Sequence, residues 1–531
     1  MRTFCPAIYS LIAVALVLPA VPAPAEEGRK PPSALEPLEA ADWDHRKAAH
    51  LLDRAGFGGT LEEIAELAAL PPVQAVDRLV KFQKVPQDER LHDFPVQPYV
   101  APPPTEDQTK YQRNLQVFFG RVSFDNGQIE AARDWWLERM LLSKRPLEEK
   151  LALFWHGHLT TSNAGVYMSS EMIRQNQLFR RHAAGNVGEL ILAVSKDPAM
   201  LRYLNNNANI KGSPNENYAR ELMELFTLGE GNYSEEDIRE AARALTGWTS
   251  AADGSFLFRQ IQHDSDEKTF LGRTGNFNGE DIVKMIIGQQ QHARFICTEL
   301  FRFFVHDEPS KAQVNAMIWT YRVGGNRVRP VLNQLFLSQT FYSEKAIATR
   351  VKSPVEYLVS TWKSMGLQEA PQKARLKTDL AEMGQVPFYP PTVEGWEGGQ
   401  AWITSSTLLA RYNVAGRLLL GAEVDPSQPT LVLPPAMAWV PVTQSPAARQ
   451  VEFSASDWVA NAADTAVAVA HLEKRFLRVP LSEVKRAEVI DFLDSRGWTP
   501  AGKDNNGSDD SEHQLRRALH LILCTPEFQI N

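Results

Sequence analysis

The residue types best suited to chemistry gather between positions 153 and 270. Leu153-Phe154-Trp155-His156-Gly157-His158-Leu159 sets two imidazoles two residues apart. On a continuous helix such residues differ by about 200° and cannot share a ligand. A left-handed cap at Gly157 would change this by ending the helix there. His156 would then sit at the negative helix end with His158 just beyond, converging as a metal-ligand or acid–base pair. The plainer alternative is one capping and one loop histidine, each bonded to carbonyls.

A second stretch, Pro214-Asn215-Glu216-Asn217-Tyr218-Ala219-Arg220-Glu221-Leu222-Met223-Glu224-Leu225-Phe226, reads as an amphipathic helix. At about 100° per residue, Tyr218, Leu222, Leu225 and Phe226 share one face. Glu216, Arg220 and Glu224 form an i, i+4, i+8 ladder on the other, which on the bland account is a solvated salt-bridge face. The sharper account places Glu221, at the edge of the apolar face, in a cleft as ligand or general base. Asn215, Asn217 and Arg220 would then bind the substrate. The preceding Asn205-Asn206-Asn207-Ala208-Asn209 is either an amide-lined ligand loop or a well-tied turn.

Two further stretches carry weaker signals. In His263-Asp264-Ser265-Asp266-Glu267-Lys268, His263 could join a site, and the carboxylates hint at calcium. An EF-hand loop wants Gly at its sixth position, where this chain has Thr269, so a surface turn is the default. Gln385-Val386-Pro387-Phe388-Tyr389-Pro390-Pro391 and Gly395-Trp396-Glu397-Gly398-Gly399-Gln400-Ala401-Trp402 hold aromatics on a stiff loop. Trp396 and Trp402, with Trp135, Trp136, Trp155 and Trp248, would line a groove for sugar rings, or serve as wedges between helices.

The elements that must position these residues read as all-α, with a few short strands. Thr60 and Glu63 form a capping-box pattern opening Leu61 to Leu70, and Pro71-Pro72 ends that helix. Helices are expected over Gln128 to Leu142 and Pro146 to Trp155, the latter with Pro146 in its first turn. Residues 95–108, with five prolines, read as an extended surface excursion. The main helical domain is expected over 43–420, an irregular linker over 423–456 and a C-terminal helical piece over 457–531. That piece echoes 295–342: each reads as a helix, a Pro-marked turn, a second helix and a third closing on an aromatic. The echo implies either a duplicated unit packing on its copy or coincidence.

The 531 residues carry 56 Lys+Arg against 64 Asp+Glu, a net charge of −8. No long basic run is present, which argues against nucleic acid as a partner. Arg2, the apolar Ile8–Leu18 and Ala23-Pro24-Ala25 read as a secretory signal peptide over residues 1–25. The mature chain is then expected in the periplasm or outside the cell, with no stable membrane span. Cys297 and Cys524 remain, in apolar helical contexts that suit small buried hydrophobes better than a bridge. Among catalytic signatures there is no GxSxG elbow, Walker loop, dinucleotide fingerprint, HExxH or CxxCH.

Set side by side, several stretches resemble the bacterial domain-of-unknown-function 1800 family. They are Ala48-Ala49-His50-Leu51-Leu52-Asp53-Arg54-Ala55-Gly56-Phe57-Gly58, Phe154-Trp155-His156-Gly157-His158, Asn215-Glu216-Asn217-Tyr218-Ala219-Arg220-Glu221-Leu222, Ala244-Leu245-Thr246-Gly247-Trp248, Lys268-Thr269-Phe270-Leu271-Gly272, Lys352-Ser353-Pro354-Val355-Glu356-Tyr357 and Gly395-Trp396. The likeness runs from about residue 43 to 420. It implies an exported bacterial protein, often encoded beside a protein of the 1501 family, which is the partner it suggests. It implies no activity, cofactor or catalytic residue.

Two functions follow from the residues. The first is an exported enzyme, a hydrolase ahead of an oxidoreductase. Its catalytic residues would be His156, His158 and Glu221, with Glu224 and His263 joining them around a divalent metal ion. The second is a non-catalytic binding or assembly partner of another exported protein or a glycan, in which these side chains brace the fold. The two diverge on whether the five side chains meet in one pocket.

Overall fold

The computed structural model describes residues 34–105, 108–251, 253–371, 375–420, 422–424, 442–444, 453–500 and 509–531. The stretch read as a signal peptide lies outside the described residues, as does most of the expected linker over 423–456.

Helices dominate, as the periodicity predicts, and the strands form three short antiparallel ribbons. The chain opens with α1 (His45–Arg54), α2 (Leu61–Ala68) and α3 (Pro72–Val80). Asp44 caps α1 by accepting from the Lys47 N–H at 2.8 Å, and Thr60 with Glu63 makes the expected capping box on α2. Next come α4 (Lys110–Leu142), α5 (Pro146–His158), α6 (Asn163–Val166), α7 (Ser169–His182), α8 (Val187–Ser195) and α9 (Pro198–Tyr203). The first of these starts at Lys110, not at Gln128: Thr109 and Gln112 supply a capping box upstream of the expected start. The Pro-rich excursion is extended and lies on this helix, with the Gln97 N–H donating to Gln128 Oε1 at 2.7 Å.

Then follow α10 (Asn217–Glu224), α11 (Glu235–Ala244), the ribbons β1 (Trp248–Ser250)–β2 (Phe256–Phe258) and β3 (Lys268–Phe270)–β4 (Arg273–Gly275), and α12 (Gly279–Gly288). A three-helix run, α13 (Gln290–Phe304), α14 (Lys311–Val323) and α15 (Val328–Phe336), closes on Phe341. After α16 (Pro354–Ser364), α17 (Leu376–Met383) and α18 (Ser405–Leu420) comes the ribbon β5 (Ala422–Val424)–β6 (Val442–Gln444). The C-terminal piece holds α19 (Ala455–Val459), α20 (Thr465–Phe476), α21 (Glu483–Asp494), α22 (Asp509–Leu523) and α23 (Pro526–Gln529). The succession of α13 to Phe341 thus recurs from α20 to Phe528, with Ser310 and Ser482 each capping the second helix.

Two helices form the axis of the core. In α5 every residue from Pro146 to His156 is buried, and in α16 only Glu356 is not. A helix buried all round must satisfy its charges internally. Glu149 therefore accepts from Arg139 Nε at 2.8 Å, Arg180 at 2.9 Å and Trp136 Nε1 at 3.1 Å. Lys150 meets Glu356, joining the two buried helices.

A buried ionic knot then ties the C-terminal piece to the N-terminus. Arg54 donates to the Phe304 and Val305 carbonyls and to Asn531 Oδ1 at 3.1 Å. Asp53 receives Arg478 at 2.5 Å. The Lys352 N–H donates to the Gln529 carbonyl at 2.8 Å, and its Nζ sits 4.0 Å over the Phe528 ring. Burial pulls the Lys352 ammonium down to about 7, while Lys150 and Arg350 overcome burial to hold Glu356 at about 2. Cys297 and Cys524 are both free thiols, and burial pushes both upward.

Candidate functional site

The sequence motifs meet where the C-terminal end of α5 touches a loop following α17. Gly157 does not end its helix: α5 runs on to His158 and is capped at Leu159. The expected left-handed cap is absent: the helix continues through Gly157, and a loop crosses close over it. The loop glycine Gly395 takes φ +88°, and a Cβ on it would lie 2.4 Å from the Gly157 carbonyl oxygen. Only glycine fits so close a crossing. Trp396 packs over Gly157, within 3.8 Å of where a side chain would begin.

With the helix unbroken, the two imidazoles diverge. His156 points into the core, its ring 5.5 Å from Trp396, 5.7 Å from Trp136 and 5.8 Å from Phe388. Its Nε2 accepts the Phe388 N–H at 3.0 Å, which fixes the proton on Nδ1 in the neutral ring. Burial holds its pKa down to about 3, so it stays neutral. His158 faces the other way, stacked on Phe154 at 5.5 Å, with Nε2 bonded to the Phe226 carbonyl at 3.1 Å. The plainer reading of a carbonyl-bonded histidine describes His158, whereas His156 is an acceptor for backbone.

His263 is elsewhere again. Its Nδ1 donates to the Thr246 carbonyl at 2.9 Å and its ring meets Phe258 edge-on. The neighbouring carboxylate Asp264 is taken by Arg243 at 2.8 Å, and Lys268 donates to the carbonyls of Asp264 and Asp266. The loop braces β3 against α11. Among the described residues no group of three or more His, Cys, Asp or Glu is placed to hold a metal ion. The set His156, His158, Glu221, Glu224 and His263 therefore does not assemble as a metal site, because helical continuity at Gly157 separates its first two members.

The amide loop before α10 is tied to itself. Asn209 donates to Asn206 Oδ1 and the Ala242 carbonyl, and Asn206 donates to the Trp248 carbonyl. Asn209 Oδ1 accepts the Asn215 N–H at 2.9 Å, and Asn215 Oδ1 accepts the Asn217 N–H at 3.0 Å. Asn215 is half-buried and spent on these turns; Asn217 is exposed. Trp136, Trp155, Trp248 and Trp402 are buried wedges, so Trp402 offers no face to a ligand. Trp396 is half-buried.

What remains open to solvent is acidic. Glu221 and Glu224 on α10 are half-buried, and Glu394, two residues before Trp396, is exposed. Burial first, then Glu224 and Glu394, raise the Glu221 pKa, opposed by Arg220. Arg220 itself is committed to Glu235 at 2.9 Å and Glu216 at 3.2 Å. The expected ladder thus reaches Glu216 but not Glu224, whose carboxylate accepts the Tyr233 hydroxyl at 2.9 Å. Glu394 was not among the residues marked by the sequence. Its only signal is its place in the stiff aromatic loop, and its partnership with Glu221 spans positions too far apart for any local pattern.

Among curated proteins and among solved structures, none matches this chain. A family model described as "Protein of unknown function (DUF1800)" matches residues 50–530. That span takes in the described motifs from His50 onward, the C-terminal piece included, and the chain belongs to this DUF1800 family.

Proposed function

We propose that this chain is an exported, non-catalytic binding and assembly protein. Its ledge of Glu221, Glu224 and Glu394 beside Trp396 receives a basic segment of another exported protein. The carrying observation is the repulsion at Glu221: Glu224 and Glu394 both raise its pKa, and Arg220, which opposes them, is shared with Glu216 and Glu235. A cationic side chain from a partner relieves that repulsion, which gives specificity and a fast encounter. An aromatic plane at the rim suits Lys or Arg stems as well. Export is supported by the Arg2, Ile8–Leu18 and Ala23-Pro24-Ala25 pattern.

The binding reading is preferred to the enzyme because both imidazoles bond backbone groups, His156 the Phe388 N–H and His158 the Phe226 carbonyl. The first partner to test is the 1501-family exported protein suggested by the resemblance. Its binding to the purified chain should weaken with salt. It should fall roughly 10-fold or more in Glu221→Lys/Glu394→Lys. Mass spectrometry should find equally negligible metal in the native chain and in His156→Ala/His158→Ala. Charge reversal without effect removes the ledge. Stoichiometric metal that disappears in the histidine variant restores the metalloenzyme.

A further inference from the structure

The first half of α4 carries an apolar stripe that nothing in the described structure covers. Tyr111 is 72% exposed, Phe118 60%, Phe119 62%, Val122 42% and Leu115 37%. Tyr111, Leu115, Phe118 and Val122 are spaced four, three and four residues apart, the repeat of a coiled-coil seam. At about 100° per residue they lie along the same line as Ile129, Arg133, Trp136 and Met140 of the second half. Those four are buried in the core. One continuous helical face is therefore core from Ile129 onward and bare from Tyr111 to Val122.

The arm is braced for this exposure. Its start is fixed by the Thr109–Gln112 capping box. Its opposite face is covered by the Pro-rich excursion, where Tyr99 packs on Phe124 at 5.7 Å and closes against Gly120. At the base of the arm, Arg121 reaches Met168 Sδ at 2.8 Å and Asp125 at 3.7 Å. Beside Met168 stands Tyr167, 74% exposed and held at φ +56°. An isolated arm of this kind loses free energy by leaving several large apolar side chains in water.

We propose that this face of α4 pairs with the same face of a second copy of the chain, antiparallel, as a two-helix seam. The register follows from the residues. Antiparallel pairing about the middle of the stripe sets Tyr111 against Val122 and Leu115 against Phe118, so both seam aromatics meet an aliphatic side chain, with Phe119 beside them at the edge. A two-fold interface of this kind is self-complementary and closes on itself. The flanks carry the amides Gln112, Asn114 and Asn126 with Arg121 and Asp125, and in this register Arg121 faces Gln112 and Asp125 faces Gln108, so no like charges are opposed. Aromatic side chains present roughly 150–250 Å² each, and at these exposures the stripe offers about 500 Å² per copy. Two copies then bury about 1,000 Å², the lower bound of a specific interface.

The inference stands apart from the acidic ledge and survives its failure. The test is sedimentation of the mature chain over about 1 to 100 µM, the range in which a small interface dissociates. A concentration-dependent dimer is expected. Phe118→Glu/Phe119→Glu should raise its dissociation constant at least about 100-fold. Far-UV circular dichroism should not change, and Tm measured below the native dimer's dissociation constant should match that of the native chain, since both rings are exposed. The second variant is Tyr111→Cys/Val122→Cys. Within one chain these positions are separated by about 16 Å of helix rise, too far for a disulfide, so oxidation should yield a covalent dimer. A native chain that stays monomeric, a dimer that survives the glutamates, or the absence of the covalent dimer each overturns the proposal. So does a monomer that floats with vesicles of anionic phospholipid, which would assign the stripe to a membrane surface.

Discussion

His156 looks chemical because of its type and neighbours, and its surroundings turn it into a packing and hydrogen-bonding residue. The Phe388 N–H needs an acceptor inside the core, and a neutral imidazole Nε2 supplies one without charge. His156→Ala leaves that N–H unpaired and opens a cavity among Trp136, Phe388 and Trp396. Urea unfolding should show a loss of about 2–4 kcal/mol, the sum expected for an orphaned donor and a lost aromatic volume. A stability change below about 0.5 kcal/mol, the range of a surface substitution, would overturn the packing role, and a loss of function beside it would return His156 to chemistry. The same logic applies at Gly395, where φ +88° and the 2.4 Å approach to the Gly157 carbonyl leave no room for a side chain.

Among elements, the decisive joint is between α1 and the C-terminal piece. Asp53 and Arg478 are 4% and 7% exposed in their side chains, so their pair is desolvated on both sides. Removing one partner of a buried pair strands the other. Arg478→Ala should cost about 3–5 kcal/mol and make residues 454–531 more readily clipped by protease than the rest of the chain. Unchanged proteolysis would show that the Val351–Ile530 bridge and the Arg411 contacts to Lys352 and Gln529 suffice. The two recurring helix runs meet α1 in parallel ways. Arg54 takes the carbonyls that end α13, and Asp53 takes Arg478 just beyond α20.

Over the whole molecule, buried neutral histidines set the response to acid. His50, His156, His158, His292 and His520 all have pKa values lowered, chiefly by burial, the second and fourth to about 3. The folded state then binds fewer protons than the unfolded chain between about pH 3 and 6.5. Their stabilisation is full above about pH 6.5 and is lost as pH falls. Asp197, Glu148, Glu221 and Asp379 act oppositely: burial raises all four, the first two to about 7, so their contribution grows as pH falls toward about 4. Five histidines that lose stability on acidification outnumber the four carboxylates that gain it, which predicts a Tm that drops between about pH 7 and 5. Calorimetry showing Tm rising on acidification would mean that the carboxylates dominate.

Much of the fold was legible because its signals are local. Thr60 with Glu63, Pro146 at a first turn and the apolar spacing of Tyr218, Leu222 and Phe226 act within one or two turns of helix. The start of α4 was missed because an exposed apolar stripe beside a Pro-rich run does not look like the core helix it continues into. Convergence of His156 and His158 turns on the φ of Gly157 alone. A glycine permits either conformation, and its environment decides between them.

The chain's own letters determined that it is helical, where most helices begin and which faces are apolar, because propensity, capping and periodicity operate over a few residues. The tertiary structure alone decided that Gly157 stays helical beneath Gly395, that Glu394 comes near enough to raise the Glu221 pKa, and that Asp53 and Arg54 clasp the C-terminal piece. Each is an encounter between segments more than 100 residues apart in sequence, set by packing and desolvation, to which no local pattern answers.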